Sequence, residues 1–170
     1  MTFKVETIHE KNLIEERRDE VIQWFRDEFG YIPLKWSDPE WYILALNESE
    51  LIGRLGIIDR IVLVEGHQIR VGGISGVITK NKWRKRGVAS TLMAQALNVF
   101  GDKLNTSFGL LLCLEEVSGF YNGLGWKVNN FLTTFEQPAG KMTFPKLTMT
   151  YSCEGGVWSR GPIDLNGLPW

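Results

Sequence analysis

The densest chemistry in the chain lies in Thr79-Lys80-Asn81-Lys82-Trp83-Arg84-Lys85-Arg86-Gly87-Val88-Ala89-Ser90, where five of the seven residues from Lys80 to Arg86 are cations. A strand-like run, Gln68 to Thr79, leads in. A segment of helical period leads out through Val88, Leu92, Met93, Ala96, Val99 and Phe100. A helix start offers unpaired N–H groups and the positive end of a dipole, and small residues such as Gly87, Ala89 and Ser90 let an anion approach the backbone. Strand, basic turn, glycine and helix in that order therefore suit a phosphate group. A solvated basic turn that merely starts an amphipathic helix fits the same spacing, and so does a nucleic-acid patch, although no second basic cluster extends a footprint. The Walker A pattern and the three glycines of a dinucleotide fingerprint are both missing.

The elements that must position this turn follow from periodicity. Ile14, Val21, Ile22, Phe25 and Phe29 predict a helix from about Lys11 to Phe29, stopped by Gly30 and Pro33. Four strand-like runs follow, Trp41 to Leu46, Leu51 to Ile58, Ile61 to Val64 and Gln68 to Thr79. Turns are expected at Asn47–Glu50, Asp59–Arg60 and Glu65–Gly66. After the helix that ends near Gly101, the apolar run Gly109 to Leu114 reads as a strand covered on both faces. A short helix from about Val117 to Asn122 and strands around Val128 to Phe135 and Leu147 to Tyr151 complete a mixed α/β layer domain of the α+β kind. The Gly-, Pro- and Trp-rich tail from Ser152 to Trp170 has no period.

Composition narrows the function classes. The chain has 170 residues, 44% of them hydrophobic, and its 19 basic and 20 acidic side chains leave a formal charge of −1. That balance gives no global pull toward nucleic acid or an anionic membrane. Cys113 and Cys153 stand far apart and make neither a zinc set nor a disulfide framework, so no metal is expected. No apolar run reaches membrane-spanning length and Met1 to Glu10 lacks a leader pattern, so the expectation is one cytoplasmic domain over residues 1–170.

Arg84-x-x-Gly87-x-Ala89 resembles the R/Q-x-x-G-x-G/A pyrophosphate loop of the GNAT acyl-CoA N-acyltransferases. Downstream, Phe120-Tyr121-Asn122-Gly123-Leu124-Gly125-Trp126 is similar to that family's Y-x-x-x-G-[FW] signature. The resemblance runs from about residue 40 to about residue 135, with a helix and an apolar strand between the two signatures in the expected order. It implies the GNAT fold, a central mixed, mostly antiparallel sheet flanked by helices, and acetyl-CoA as co-substrate. By the same resemblance, backbone near Val77, Ile78 and Thr79 would pair with the pantetheine arm, and the loop Arg84, Lys85, Arg86, Gly87, Val88, Ala89 and Ser90 would take the phosphates. Tyr121 sits where the family keeps its general acid; its alternative role is packing beside Phe120 and Trp126. Glu115 and Glu116 follow the apolar strand, so Glu115 is the candidate base, though acids are favoured in a first helical turn anyway.

Within the family, Ile69-Arg70-Val71-Gly72-Gly73-Ile74-Ser75-Gly76-Val77-Ile78-Thr79 and Trp83-Arg84 resemble the aminoglycoside 2′-N-acetyltransferases, as does a chain closing on tryptophan. The implied reaction is acetylation of a primary amine on an aminoglycoside or related amino sugar, with antibiotic resistance as its consequence. Trp36, Asp38, Trp41, Ser75, Asp164 and Trp170 are the implied acceptor contacts. Ser75 replaces the glutamate those enzymes carry, which favours a smaller, less charged amino sugar or an unusual aminoglycoside. The tail at 151–170 then serves as substrate wall, sheet cover or dimer contact, dimers being common in the family. Other readings are acyl transfer to a nodulation-type amino sugar, a polyamine or a protein amine, and a non-catalytic acyl-CoA sensor.

Overall fold

The computed structural model describes residues 2–170. Its strands are β1 (Lys4–His9), β2 (Trp41–Asn47), β3 (Glu50–Val64), β4 (His67–Thr79), β5 (Phe108–Cys113), β6 (Lys127–Asn129), β7 (Thr133–Gln137), β8 (Gly140–Thr143), β9 (Leu147–Ser152) and β10 (Ile163–Asp164). The helices are α1 (Glu15–Phe29), α2 (Val88–Asp102) and α3 (Glu115–Gly123). All the strands join one mixed sheet, in the order β6-β9-β5-β4-β3-β10-β7-β8, while β1 and β2 extend from the first half of β3. Most pairs are antiparallel; β4–β5 and β10–β7 are parallel. The sheet curls enough for the Thr133 and Thr148 hydroxyls, on β7 and β9, to hydrogen bond at 2.6 Å.

Each face is covered by what the sequence makes apolar. Helix α2 buries Val88, Leu92, Met93, Ala96, Val99 and Phe100, the set that its period predicts, against Ile57, Ile74 and Leu111. Gly72 lets the Phe100 ring lie directly on β4. On the opposite face α1 buries Val21, with Leu13, Tyr42, Leu44 and Leu51 around it. Acids in its first turn suit the positive end of its dipole, and the Gly30 N–H closes it on the Arg26 carbonyl at 2.8 Å. The helix is shorter than its period predicts: a 3₁₀ turn occupies Glu10–Asn12, Leu13 turns inward, and Ile14 stands exposed at the N-cap.

Three further boundaries differ from the sequence expectation. Asp59 and Arg60 do not turn but continue β3 as a single 15-residue strand. Their polarity is satisfied across the sheet: Arg70 on β4 grips Asp59 with two hydrogen bonds, at 2.8 and 2.6 Å, and Arg60 reaches the carbonyls of Leu165 and Leu168. The stretch Val128 to Phe135 splits into β6, at one end of the sheet order, and β7, one strand from the other end, separated by a loop whose Phe131 carbonyl accepts from the Asn129 side chain of β6. The tail contributes β10, inserted between β3 and β7. Among the described residues no helix is long and apolar enough to cross a membrane.

Candidate active site

The backbone of β4 creates the first half of the site. It pairs with β5 only through Gly72–Gly109, Gly73–Leu110 and Ile74–Leu111, although β4 runs on to Thr79 and β5 to Cys113. On its other edge β4 stays paired with β3 as far as Thr79, with an extra residue accommodated at a bulge. Gly76 lies at that bulge with φ +53, a conformation that costs a side-chain-bearing residue strain. The two parallel strands part after Ile74, so Ser75 is the first unpaired residue on that edge. Val77, Ile78 and Thr79 present to the gap a β edge able to pair with an extended chain.

The basic turn closes one end of this gap. A 3₁₀ turn at Asn81–Trp83 buries the Trp83 ring, against which Phe3 packs edge-on at 6.4 Å. Lys85 and Gly87 both adopt positive φ, at 60° and 80°, curling the chain into α2. Open space surrounds Gly87, so it is backbone geometry, not crowding, that selects glycine there. No side chain caps α2 and its first turn holds no acid, so the Val88, Ala89 and Ser90 amides remain available to an anion. The cations are less free than their density suggests. Lys80 and Lys82 both meet Glu50, and Arg84 meets Glu28 of α1 at 2.9 Å while its Nε donates to the Thr79 carbonyl. Lys85 is exposed at the turn and Arg86 stacks over Trp83. Arg84 thus ties α1 to the end of β4, a structural task that its place in the motif did not reveal.

Tyr121 stands half-buried on α3, packed against the cluster that contains Cys113 and Trp126. Burial, and secondarily the neighbouring Cys113 thiol, push its phenol well above the ordinary tyrosine range. It therefore stays protonated at physiological pH. Burial also raises the Cys113 thiol to about 11, which keeps it from being a thiolate nucleophile. Glu115 is exposed in the first turn of α3.

The second half is a cavity of about 440 Å³ between the end of α1, the loop at 30–39 and the α1 face of the sheet. Phe25, Trp36, Asp38, Tyr42, Arg54 and Ser75 are among its walls. Ser75 sits at the position where β4 leaves β5, which puts the cavity beside the gap. Three of the expected acceptor contacts, Trp36, Asp38 and Ser75, meet here; Trp41, Asp164 and Trp170 do not. Trp41 lies against His9 and Lys103. Asp164 is held by Lys141. Trp170 is buried over Gly73 with Arg60 above its ring, and its indole faces the sheet rather than a substrate space. The tail shapes the cavity indirectly: the Ser37 N–H donates to the Pro169 carbonyl at 2.8 Å, which anchors the loop that carries Trp36 and Asp38.

Sequence reasoning passed over Arg54, Phe25 and Tyr42. The available signal was a lone arginine inside Leu51-Ile52-Gly53-Arg54-Leu55-Gly56-Ile57-Ile58, an apolar strand with a glycine on either side of the charge.

Residues 9–129 match the model of the acetyltransferase (GNAT) domain. Over 150 residues the chain is 24% identical to an aminoglycoside 2′-N-acetyltransferase of Mycolicibacterium fortuitum, covering 82% of this chain and 72% of that protein. Among solved structures, a GCN5-related N-acetyltransferase from Kribbella flavida superposes with a TM-score of 0.57 at 20% identity, over 75% of this chain. The match spans only 34% of that longer protein. The GNAT N-acetyltransferase YhbS from Escherichia coli, solved in complex with CoA, superposes with a TM-score of 0.55 at 14% identity, over 97% of this chain and 89% of that one. The GNAT family uses acetyl-CoA, and the parted strands beside an uncapped helix start fit a ligand with an extended arm and a pyrophosphate. The chain belongs to the GNAT acetyltransferase family, as an acyl-CoA-dependent N-acetyltransferase domain.

Proposed function

We propose that this domain acetylates a primary amine of a small amino sugar by direct attack on acetyl-CoA, with no covalent enzyme intermediate. The observation that supports the reading is the parting of β4 from β5 beside Ser75, which leaves a backbone edge leading to an uncapped helix start and adjoining a side-chain-lined cavity. In this reading the amides from Arg84 to Ser90 bind the pyrophosphate, with Lys85 and Arg86 alongside. Val77, Ile78 and Thr79 pair with the pantetheine arm, and a backbone N–H there polarises the thioester carbonyl as the amine adds. Tyr121 donates the proton that the departing thiolate needs. Glu115, exposed at the start of α3, takes the amine's proton through water.

A second reading, acetylation of an aminoglycoside with resistance as its outcome, is favoured by the Mycolicibacterium fortuitum relative. It carries less weight here because the lining of the cavity includes Arg26 and Arg54 against a single acid, Asp38. At about 440 Å³ the cavity also falls near the small end of ligand sites, roughly 300–1,000 Å³, which suits one ring better than several. Thiol release from acetyl-CoA against glucosamine, aminoglycosides, spermidine and a lysine peptide tests the reading. Release driven by an amino sugar, with one acetyl added by mass, is the expected result. Release by spermidine or the peptide alone would overturn it in favour of another amine. Binding of acetyl-CoA without release to any acceptor would overturn it in favour of a sensor.

A further inference from the structure

Arg54 is an arginine in the wrong surroundings for a purely structural one. Its side chain projects from β3 toward α1, is 2% exposed, and lies in the wall of the cavity beside Ser75. None of the ion pairs among the described residues includes it. Its Nη1 donates to the Val21 carbonyl at 2.9 Å, while its Nε is buried with no partner. A guanidinium carries five N–H donors, so most of its hydrogen-bonding capacity is left for something else. Burial pulls its pKa down to about 10, with the Tyr42 phenol the group that offsets this, and it stays charged at neutral pH.

The surroundings are shaped to hold this head in place. Phe25 and Tyr42 place their rings 5.4 and 5.5 Å from the guanidinium carbon. A Cβ on Gly76 would stand 3.0 Å from Nη2, and one on Gly56 3.4 Å from it, so two glycines leave room for the charged end. The positive φ of Gly76 belongs to the bulge in the β3–β4 pairing, two residues past the last β4–β5 pair, so this head lies next to the start of the gap. A buried cation without a carboxylate is costly, and a planar fork with unused donors is matched by a carboxylate. Asp38, the acid among the lining residues, leaves the opposite charge to be met by an ammonium or hydroxyl.

We infer that the acceptor of this enzyme carries a carboxylate, seated on the guanidinium of Arg54, so that the substrate class is an amine-bearing acid such as an acidic amino sugar or an amino acid. The inference rests on the acetyltransferase reading above only for its catalytic readout; binding tests it separately. Arg54 acts here as a specificity-determining residue, and the glycines and aromatic rings around it as its support.

The experiment compares 2-amino-2-deoxygluconate with glucosamine, and β-alanine with β-alaninamide, on the wild-type chain. Turnover with acetyl-CoA gives one readout, and thermal protection in the presence of CoA gives another that needs no catalysis. The expected result is a kcat/KM about tenfold to a hundredfold higher for the acid in at least one pair, the range of one lost charge-assisted hydrogen bond. Protection should likewise come from the acid and not from its neutral partner. R54K and R54M should erase the difference, with R54K as the variant that keeps a charge and a long stem while losing the fork. Equal kcat/KM within both pairs, or protection by the acids that survives in R54K, would overturn the inference and leave the acetyltransferase reading untouched. Protection by an acid that is lost in both variants, with no turnover of any amine, would uphold it while sinking that reading.

Discussion

The cleft between β4 and β5 and the cavity beneath α1 meet at Ser75, yet they are built from different materials. The cleft is backbone: a strand edge left open past Ile74, two positive-φ residues at Lys85 and Gly87, and a helix start with no side-chain cap. The cavity is side chains from α1, the loop at 30–39 and three strands, with Arg54 set between Phe25 and Tyr42. In the proposed reading the backbone site takes what all acyl-CoA donors share, an extended arm and a pyrophosphate, and tolerates change in side chains. In the same reading the side-chain cavity takes one acceptor, and its preference changes with each substitution.

The largest effect that would sharpen this contrast belongs to Tyr121, the proposed proton donor. Y121F should lower kcat by about a hundredfold to a thousandfold, the usual worth of a positioned proton donor, and leave acetyl-CoA binding within about twofold. Steady-state kinetics beside calorimetry checks both. Because burial raises the phenol above its unfolded value, the folded protein holds that proton more tightly. The stabilising contribution is complete below the unfolded pKa and is lost as pH rises from there through the folded one. No alkaline loss of kcat should therefore arise from Tyr121 below about pH 10. A falling limb near pH 8 that disappears in Y121F would break the assignment.

A smaller effect separates backbone from side chain. Gly87 has φ +80 and free space around it, so G87V introduces strain without a clash. A left-handed residue other than glycine costs about 1–2 kcal/mol, more when β-branched, so affinity for CoA should fall about tenfold while acceptor preference is unchanged. An altered ratio of kcat/KM between two acceptors in G87V would mean the two halves are not separable. Least of all, S75A removes one hydroxyl from the cavity wall and should raise acceptor KM by about twofold to tenfold, with CoA affinity constant. Calorimetry that shows weakened CoA in S75A would place Ser75 on the donor side instead.

How much of this was legible in advance follows the same division. The basic turn, Gly87, α2 and the Tyr121 signature each sit within a few consecutive residues, so local pattern was enough to place them. The single strand through Asp59 and Arg60 was hidden because both residues are turn formers by type, and the groups that satisfy them, Arg70 and the carbonyls of Leu165 and Leu168, are remote along the chain. Trp170 illustrates the reverse error. A terminal aromatic residue was expected at the acceptor, but Gly73 removes the one atom that would keep its ring off β4, and the indole seals the sheet. Its influence on the cavity passes instead through the Pro169 carbonyl to Ser37.

The sequence by itself determined the fold class, the basic turn ahead of α2 and the signature that holds Tyr121, because each rests on contiguous residues whose period, turn chemistry or spacing acts locally. Only the tertiary structure decided how far β4 and β5 stay paired, which cations are already held by Glu28 and Glu50, and that Arg54 ends beside Ser75 with a donor unused. Strand register, burial and charge pairing join residues that lie tens of positions apart, and it is their packing, not their order, that sets whether a charge is met.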